Sequence, residues 1–306
     1  MGRPLRVYLN RTPKYGPWGG GIKTVNKLAE ALQSAGHEVV FRLVPDIDVI
    51  FCIDPRPNEF GEWYQNFLYY REAFKDVKII QRVGDLGTHS KPELTELVRL
   101  TLPHSDFLIF PSEWAKDWIN YDGDNCDVVH NCPVDIFHEH KRSTGLDGDV
   151  IKLVTHHWSM NPKKGFDVYG ELQNYIDKND KYKFTYMGRK PEDCQISNHL
   201  PPMSAEEVAR ELPNHHIYIT ASKEEAGANH VLEAMAAGLP VVFHKDGGSI
   251  INYCKDYGLE FATFEEMMEK IDEISNDYEF YKQKVLSYDK SNDQVVESYL
   301  KIISNL

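Results

Sequence analysis

Short apolar runs alternate with longer stretches of helical spacing from one end of this chain to the other, and nothing else in the sequence restricts the fold as much. An apolar run bounded by turn residues and followed by an amphipathic helix makes a βα unit, and a series of such units makes a mostly parallel sheet covered by helices. In the first half the runs are Leu5 to Leu9, Glu38 to Leu43, Val49 to Ile53, Lys78 to Arg82, Phe107 to Phe110 and Asp127 to His130. In the second they are Ile151 to His156, Lys183 to Met187, Ile217 to Thr220, Val241 to His244 and a brief Gly258 to Phe261. Between the halves, His138 to Asp149 is polar and turn-rich, with nothing to bury, and reads as a linker. The expected fold class is α/β, as two similar α/β domains over residues 1–140 and 150–280. An amphipathic pattern from Asn276 to Leu306 has no strand after it, and residues 281–306 are expected as a helix packing back on the first domain.

Composition narrows the function. The 306 residues suffice for two ordinary cores, and a formal charge of −13 opposes phosphate backbones and anionic lipid. Nucleic-acid partners are therefore excluded, and membrane association is expected to be weak or absent. Five cysteines, odd in number and without CxxC spacing, argue against a disulfide framework or structural zinc. No apolar h-region opens the chain, and no run approaches the roughly 20 apolar residues of a spanning helix, so a cytoplasmic protein is expected.

Three loops carry candidate chemistry. Tyr15 to Lys23 follows the first strand and holds Gly19, Gly20 and Gly21, which let backbone approach a ligand at a helix start; the bland reading is a glycine-rich surface turn. It is not GxGxxG, and no acidic residue closes the next strand, so a nicotinamide cofactor is unsupported. Thr155 to Tyr169 follows the first strand of its own half and places Lys164 before Gly165 at a helix start, an ammonium beside exposed amides that suits a diphosphate. His156 and His157 suggest zinc, but adjacent side chains diverge and no third ligand stands at suitable spacing. Ser222 to Val242 follows the strand ending at Thr220 and opens a helix near Asn229 that Gly238 and Pro240 terminate. Glu225 lies before that helix and Glu233 one turn inside it, with the amides of Ala226, Gly227 and Ala228 between them. Solvated helix charges are the ordinary explanation for two such glutamates. Here Val231, Leu232, Met235 and Ala236 flank Glu233 with apolar neighbours, where an unpaired carboxylate is costly and a ribose diol satisfies it.

Taken in order, these elements resemble glycosyltransferase family 4, a group of retaining enzymes of GT-B architecture. Glu225-x7-Glu233 followed by Ala-Met-Ala-Ala-Gly-Leu-Pro is similar to the E-x7-E signature, and Lys164-Gly-Phe to the phosphate-binding KGF lysine. Gly19 to Gly21 resembles the amino-terminal glycine loop, and Asn131 to Asp135 with Phe137 a variant of NGVDxxxF. The resemblance implies two Rossmann-like domains facing each other across a cleft, with Glu233 on the nucleotide ribose, Glu225 and the amides through Asn229 on the donor sugar, and Lys164 on the diphosphate. Family members carry an arginine before the KG lysine, where this chain has His156, His157 and Ser159; one of these, or Arg189, is the expected replacement. For the family's histidine after the fourth strand, Arg82 ranks before Asp85 and His89.

The activity so implied is transfer of a hexose from a UDP- or GDP-sugar to a hydroxyl acceptor, with retention, without a metal and without a cofactor beyond the donor. The rivals are a GT-B epimerase or phosphorylase and a silent nucleotide-sugar binder. Three DxD triplets, at Asp46, Asp122 and Asp147, spell the metal motif of the other glycosyltransferase architecture, but in a chain with 47 acidic residues they read as solvated turns. An aromatic stripe, Trp63, Phe67, Tyr70 and Phe74, reads as core-facing.

Overall fold

The computed structural model describes residues 3–14 and 20–306. The chain divides into two compact units, Met1–Asn131 with Asn292–Leu306, and Cys132–Ser291.

The first unit contains β1 (Arg6–Leu9), α1 (Gly20–Ser34), β2 (Glu38–Val40), β3 (Val49–Cys52), α2 (Tyr64–Ala73), β4 (Lys78–Arg82), α3 (Pro92–Thr101), β5 (Phe107–Phe110), α4 (Glu113–Ile119) and β6 (Cys126–Val128). Its sheet is parallel, in the order β2-β1-β3-β4-β5-β6. Every residue of β3 is buried, as expected of a strand covered on both faces. The run after Glu38 leaves the sheet at Val40, and the Leu43 N–H donates to Glu62 Oε1 at 3.2 Å. In the aromatic stripe Phe67 is fully buried, Tyr70 stacks on Phe74, and the Tyr70 hydroxyl accepts from the Ile47 N–H.

The second unit contains α5 (Ile136–Glu139), β7 (Ile151–His157), α6 (Phe166–Ile176), β8 (Tyr182–Gly188), β9 (Asn198–Leu200), α7 (Ala205–Glu211), β10 (Ile217–Thr220), α8 (Asn229–Ala236), β11 (Val241–His244), α9 (Ser249–Cys254), β12 (Gly258–Phe261), α10 (Phe264–Asn276) and α11 (Tyr278–Leu286). Its sheet is also parallel, in the order β12-β11-β10-β7-β8-β9. The chain builds outward from β7 through β8 and β9, then returns to the other side of β7 with β10. Strand order therefore reverses between β7 and β10, and in such sheets ligands bind beyond the carboxyl ends of the strands at that reversal. The loops after β7 and β10 carry Lys164 and Glu225, and the second leads into α8, which carries Glu233.

The polar stretch 138–149, expected as a linker with nothing to bury, is instead anchored in the second unit. Arg142 is buried, its guanidinium donates to Pro213 O at 2.9 Å, and its N–H donates to Ala237 O at 2.9 Å. The last helix, α12 (Asn292–Ser304), belongs to the first unit and packs on α1. Tyr299 is fully buried there, 5.4 Å from the Phe51 ring centroid. No helix among the described residues is long and apolar enough to cross a membrane.

Candidate functional site

Beyond Thr220 the chain turns outward through a loop that two neighbouring segments, the turn before α6 and the connection from β11 to α9, hold in place. The Lys223 N–H donates to Lys163 O, the Glu224 N–H to Asp246 O, and the Ser249 N–H to Glu225 O, each at 2.8 Å. Glu224 adopts a left-handed φ of 53°, and its carboxylate pairs with the Lys163 ammonium. Gly248 makes the close approach of α9 to this loop feasible. Its φ is 69°, and a Cβ there would lie 2.6 Å from Glu225 O.

The turn before α6 packs against the root of the same loop. Gly165 has φ 86°, and a Cβ on it would meet the Ala221 Cβ at 2.3 Å, so only glycine lets the preceding lysine come this near. Lys164 is consequently brought to Glu225, and the two side chains form an ion pair with exposures of 11% and 13%. A second basic–acidic pair joins β7 to α8: His156 Nε2 is 2.8 Å from Glu233 Oε2, with both side chains 12% exposed. Glu225 and Glu233, with the helix start between them, are thus each paired with a basic side chain, as charges this deeply placed require.

Of the residues proposed to replace the family's arginine, the structure puts His156 beside Glu233 and turns His157 the other way. His157 is 4% exposed, with Nε2 2.8 Å from the Tyr169 hydroxyl and its ring stacked on that phenol. Ser159 Oγ accepts from the Asn161 N–H at 3.1 Å and shapes the turn. Arg189 lies over the exposed Trp158 ring, 4.2 Å from its centroid. Among the loop amides, that of Ala228 donates to Ser249 Oγ at 3.0 Å. Asn229 is the first residue of α8.

Sequence reasoning missed His230, in the first turn of α8. It is buried, Nε2 is 3.1 Å from Thr220 Oγ1, and its ring lies 4.8 Å from that of His157. Burial pushes its pKa down to about 3, so the ring stays neutral at ordinary pH and adds no charge between the two pairs. The only sequence signal for it was a polar residue on the apolar face of a helix.

Gly20 and Gly21 open α1, whereas Gly19 and residues 15–18 lie outside the described residues. Arg82 is in the first unit and 6% exposed. Its guanidinium donates to Asn131 Oδ1 at 2.7 Å and to the Tyr299 hydroxyl at 3.0 Å, tying β4 to α12. Two of the DxD aspartates have protein partners: Asp48 accepts from the Arg6 N–H at 2.7 Å, and Asp147 pairs with Lys152 at 3.0 Å. Among the described residues no group of three His, Cys, Asp or Glu side chains is placed to hold a metal.

Two paired carboxylates and an ammonium at the reversal point of a parallel sheet fit a ligand with vicinal hydroxyls and a phosphate. The family comparison falls on the same segment. Residues 150–287 match the model of glycosyl transferases group 1. The match covers both site loops, Lys164 and the two glutamates included. Solved structures extend the likeness to the whole chain at the level of fold. A glycosyltransferase from Rickettsia africae superposes with a TM-score of 0.69 at 12% identity, covering 99% of this chain and 98% of the other. Sucrose-phosphate synthase from Thermosynechococcus elongatus gives 0.65 at 13%, covering 98% and 97%. An alpha-glucosyltransferase bound to UDP and a 13-mer DNA gives 0.61 at 14%, covering 98% and 100%. The two parallel six-stranded sheets are those of the GT-B architecture. No curated protein sequence matches the chain.

Proposed function

We propose that the chain is a retaining glycosyltransferase of family 4, moving a hexose from a UDP- or GDP-sugar to a hydroxyl acceptor, with the donor held by the second unit and the acceptor by the first. The observation that carries this reading is the placement of Lys164–Glu225 and His156–Glu233 around the carboxyl ends of β7 and β10 at the strand reversal, inside the segment matched to group 1. Glu233 accepts hydrogen bonds from the ribose diol. Lys164 lies where the diphosphate leaves, and its ammonium together with helix-start amides stabilises the negative charge that grows on the departing oxygen. Because that charge is met by a lysine and amides, the scheme needs no metal. Glu225, released from Lys164 as the diphosphate takes its place, faces the sugar and favours positive charge at the anomeric carbon.

A UDP donor is supported by the structural relative solved with UDP. The acceptor is proposed to be a glycan, glycolipid or small molecule and not DNA, since a chain of charge −13 repels a polyanion. The reaction is placed in the cytoplasm.

Following labelled UDP- and GDP-hexoses with acceptor sugars, with and without EDTA, tests the proposal. A glycoside with retained anomeric configuration, formed equally in EDTA and lost in Glu225→Ala, is expected. An epimer, free sugar phosphate, or donor binding without turnover would replace the proposal with an epimerase, a phosphorylase or a silent binder.

A further inference from the structure

Resting on the reading of the second unit as a nucleotide-sugar site, we infer that His156 is a positioning residue that fixes the carboxylate of Glu233 for the ribose, through a hydrogen-bonded series running from Tyr218 through the imidazole to the glutamate. Three elements meet at this ring: Tyr218 comes from β10, His156 from β7 and Glu233 from α8.

The direction of the series follows from the donors. The Tyr218 hydroxyl accepts from the His156 N–H at 3.1 Å and lies 3.0 Å from His156 Nδ1, nearer than the alternative acceptor, His156 O, at 3.3 Å. A phenol carries its proton at ordinary pH, and Nδ1 is the nearer of its two acceptors, so the hydroxyl donates to Nδ1. An imidazole that accepts at Nδ1 carries its own proton on Nε2. That nitrogen is 2.8 Å from Glu233 Oε2, and so it donates to the carboxylate.

The ring itself cannot wander. Tyr218 packs edge-on against it with centroids 5.5 Å apart, and His230 does so on another side at 6.2 Å. A fixed donor on one carboxylate oxygen sets the plane of both oxygens, and a carboxylate of set plane is pre-organised for two vicinal hydroxyls. His156 thereby acts through Glu233 and selects ribose without touching the reacting atoms.

The test is to titrate UDP, GDP and their 2′,3′-dideoxy counterparts into the full chain, its His156→Phe variant and its His156→Gln variant, recording unfolding temperatures alongside. The wild type is expected to prefer the ribonucleotide. In His156→Phe, which fills the space but cannot donate, ribonucleotide affinity falls about tenfold, the loss expected for one hydrogen bond to a charged acceptor, while dideoxy affinity stays within about twofold. His156→Gln, which keeps a donor, restores part of the preference. An unchanged preference in His156→Phe overturns the inference, as does an equal loss for both sugars with a lowered unfolding temperature, which marks a purely structural residue. If the wild type binds neither diphosphate, the nucleotide-sugar reading itself fails; if it binds them and only the preference test fails, that reading stands and this inference falls alone.

Discussion

Gly248 and Glu225 meet main chain to main chain: the Ser249 N–H donates to Glu225 O at 2.8 Å, and a Cβ on Gly248 would come within 2.6 Å of that oxygen. This contact sets where the Glu225 carboxylate stands, so it ties a backbone constraint on α9 to the chemistry of the neighbouring loop.

Gly248→Ala therefore has two causes of failure, a left-handed φ and a backbone clash. A loss of about 2–4 kcal/mol in unfolding free energy is expected, from strain and displaced loop together, with loss of sugar transfer in the protein that remains folded. Gly170→Ala is the control. That glycine lies within α6 with no atom within 4 Å of an added Cβ, so alanine is expected to stabilise by about 0.5–1 kcal/mol and leave transfer unchanged. Urea unfolding of both variants separates the cases.

Lys163 and Lys164 are adjacent in sequence and unequal in setting. The Lys163–Glu224 pair is 37% and 40% exposed, whereas Lys164–Glu225 is 11% and 13% exposed. Lys163→Ala is expected to change stability by under about 1 kcal/mol, as exposed pairs do, whereas Lys164→Ala removes the ammonium beside a mostly buried carboxylate at a cost of about 1–3 kcal/mol. Parallel thermal and urea unfolding of the two variants measures the difference.

Acid stability follows from two buried histidines. Burial lowers the pKa of His215 to about 4 and that of His230 to about 3. Each ring binds a proton less readily in the folded chain than in the unfolded chain, where the value is near 6.5. Above that value neither state is protonated and there is no penalty. As pH falls through it the unfolded state gains protons, so stability drops towards about pH 4 for His215 and about pH 3 for His230, with up to about 1.4 kcal/mol per pH unit for each group. Urea unfolding from pH 7 to 4.5 is expected to show this slope, and His230→Gln to remove about one group's share. A slope unaltered in that variant contradicts the assignment.

Arg82 ranked first on sequence grounds for a role at the sugar, yet its guanidinium joins Asn131 to Tyr299. Tyr299→Phe keeps the ring packing on Phe51 and removes the hydroxyl that Arg82 uses. A loss of about 1–2 kcal/mol is expected, the cost of a charged donor left short of a partner. Ending the chain at Ser291, which deletes α12 and its buried Tyr299, is expected to unfold the first unit; circular dichroism and limited proteolysis check both.

Among the described residues eleven of the twelve strands were legible, most plainly the buried ones such as β3, β10 and β11, because parallel strands covered on both faces are written as apolar runs. The twelfth, β9, is a three-residue edge strand of Asn198, His199 and Leu200, which pairs only with β8 and needs no such run. Lys164 and the two glutamates were legible from their spacing around glycine. The choice between His156 and His157 was not, because it depends on where β7 ends. The strand runs on to His157, which joins the buried row of Ile151, Leu153 and Thr155 and leaves His156 on the opposite face beside Glu233. The role of residues 138–149 was hidden for a different reason: a polar segment becomes ordered when one of its side chains, here Arg142, finds carbonyl partners far away in sequence.

The proposed function requires the second unit to bind a nucleoside diphosphate through the Lys164 ammonium beside Glu225. Calorimetric titration of UDP, GDP, uridine and guanosine into the wild type and Lys164→Met tests it most directly. One diphosphate is expected to bind the wild type and to bind the variant about ten- to a hundredfold more weakly, the worth of a charge-assisted phosphate contact, while the matching nucleoside is unaffected. Equal affinity of that diphosphate for both proteins, or no binding of either diphosphate to the wild type, contradicts it.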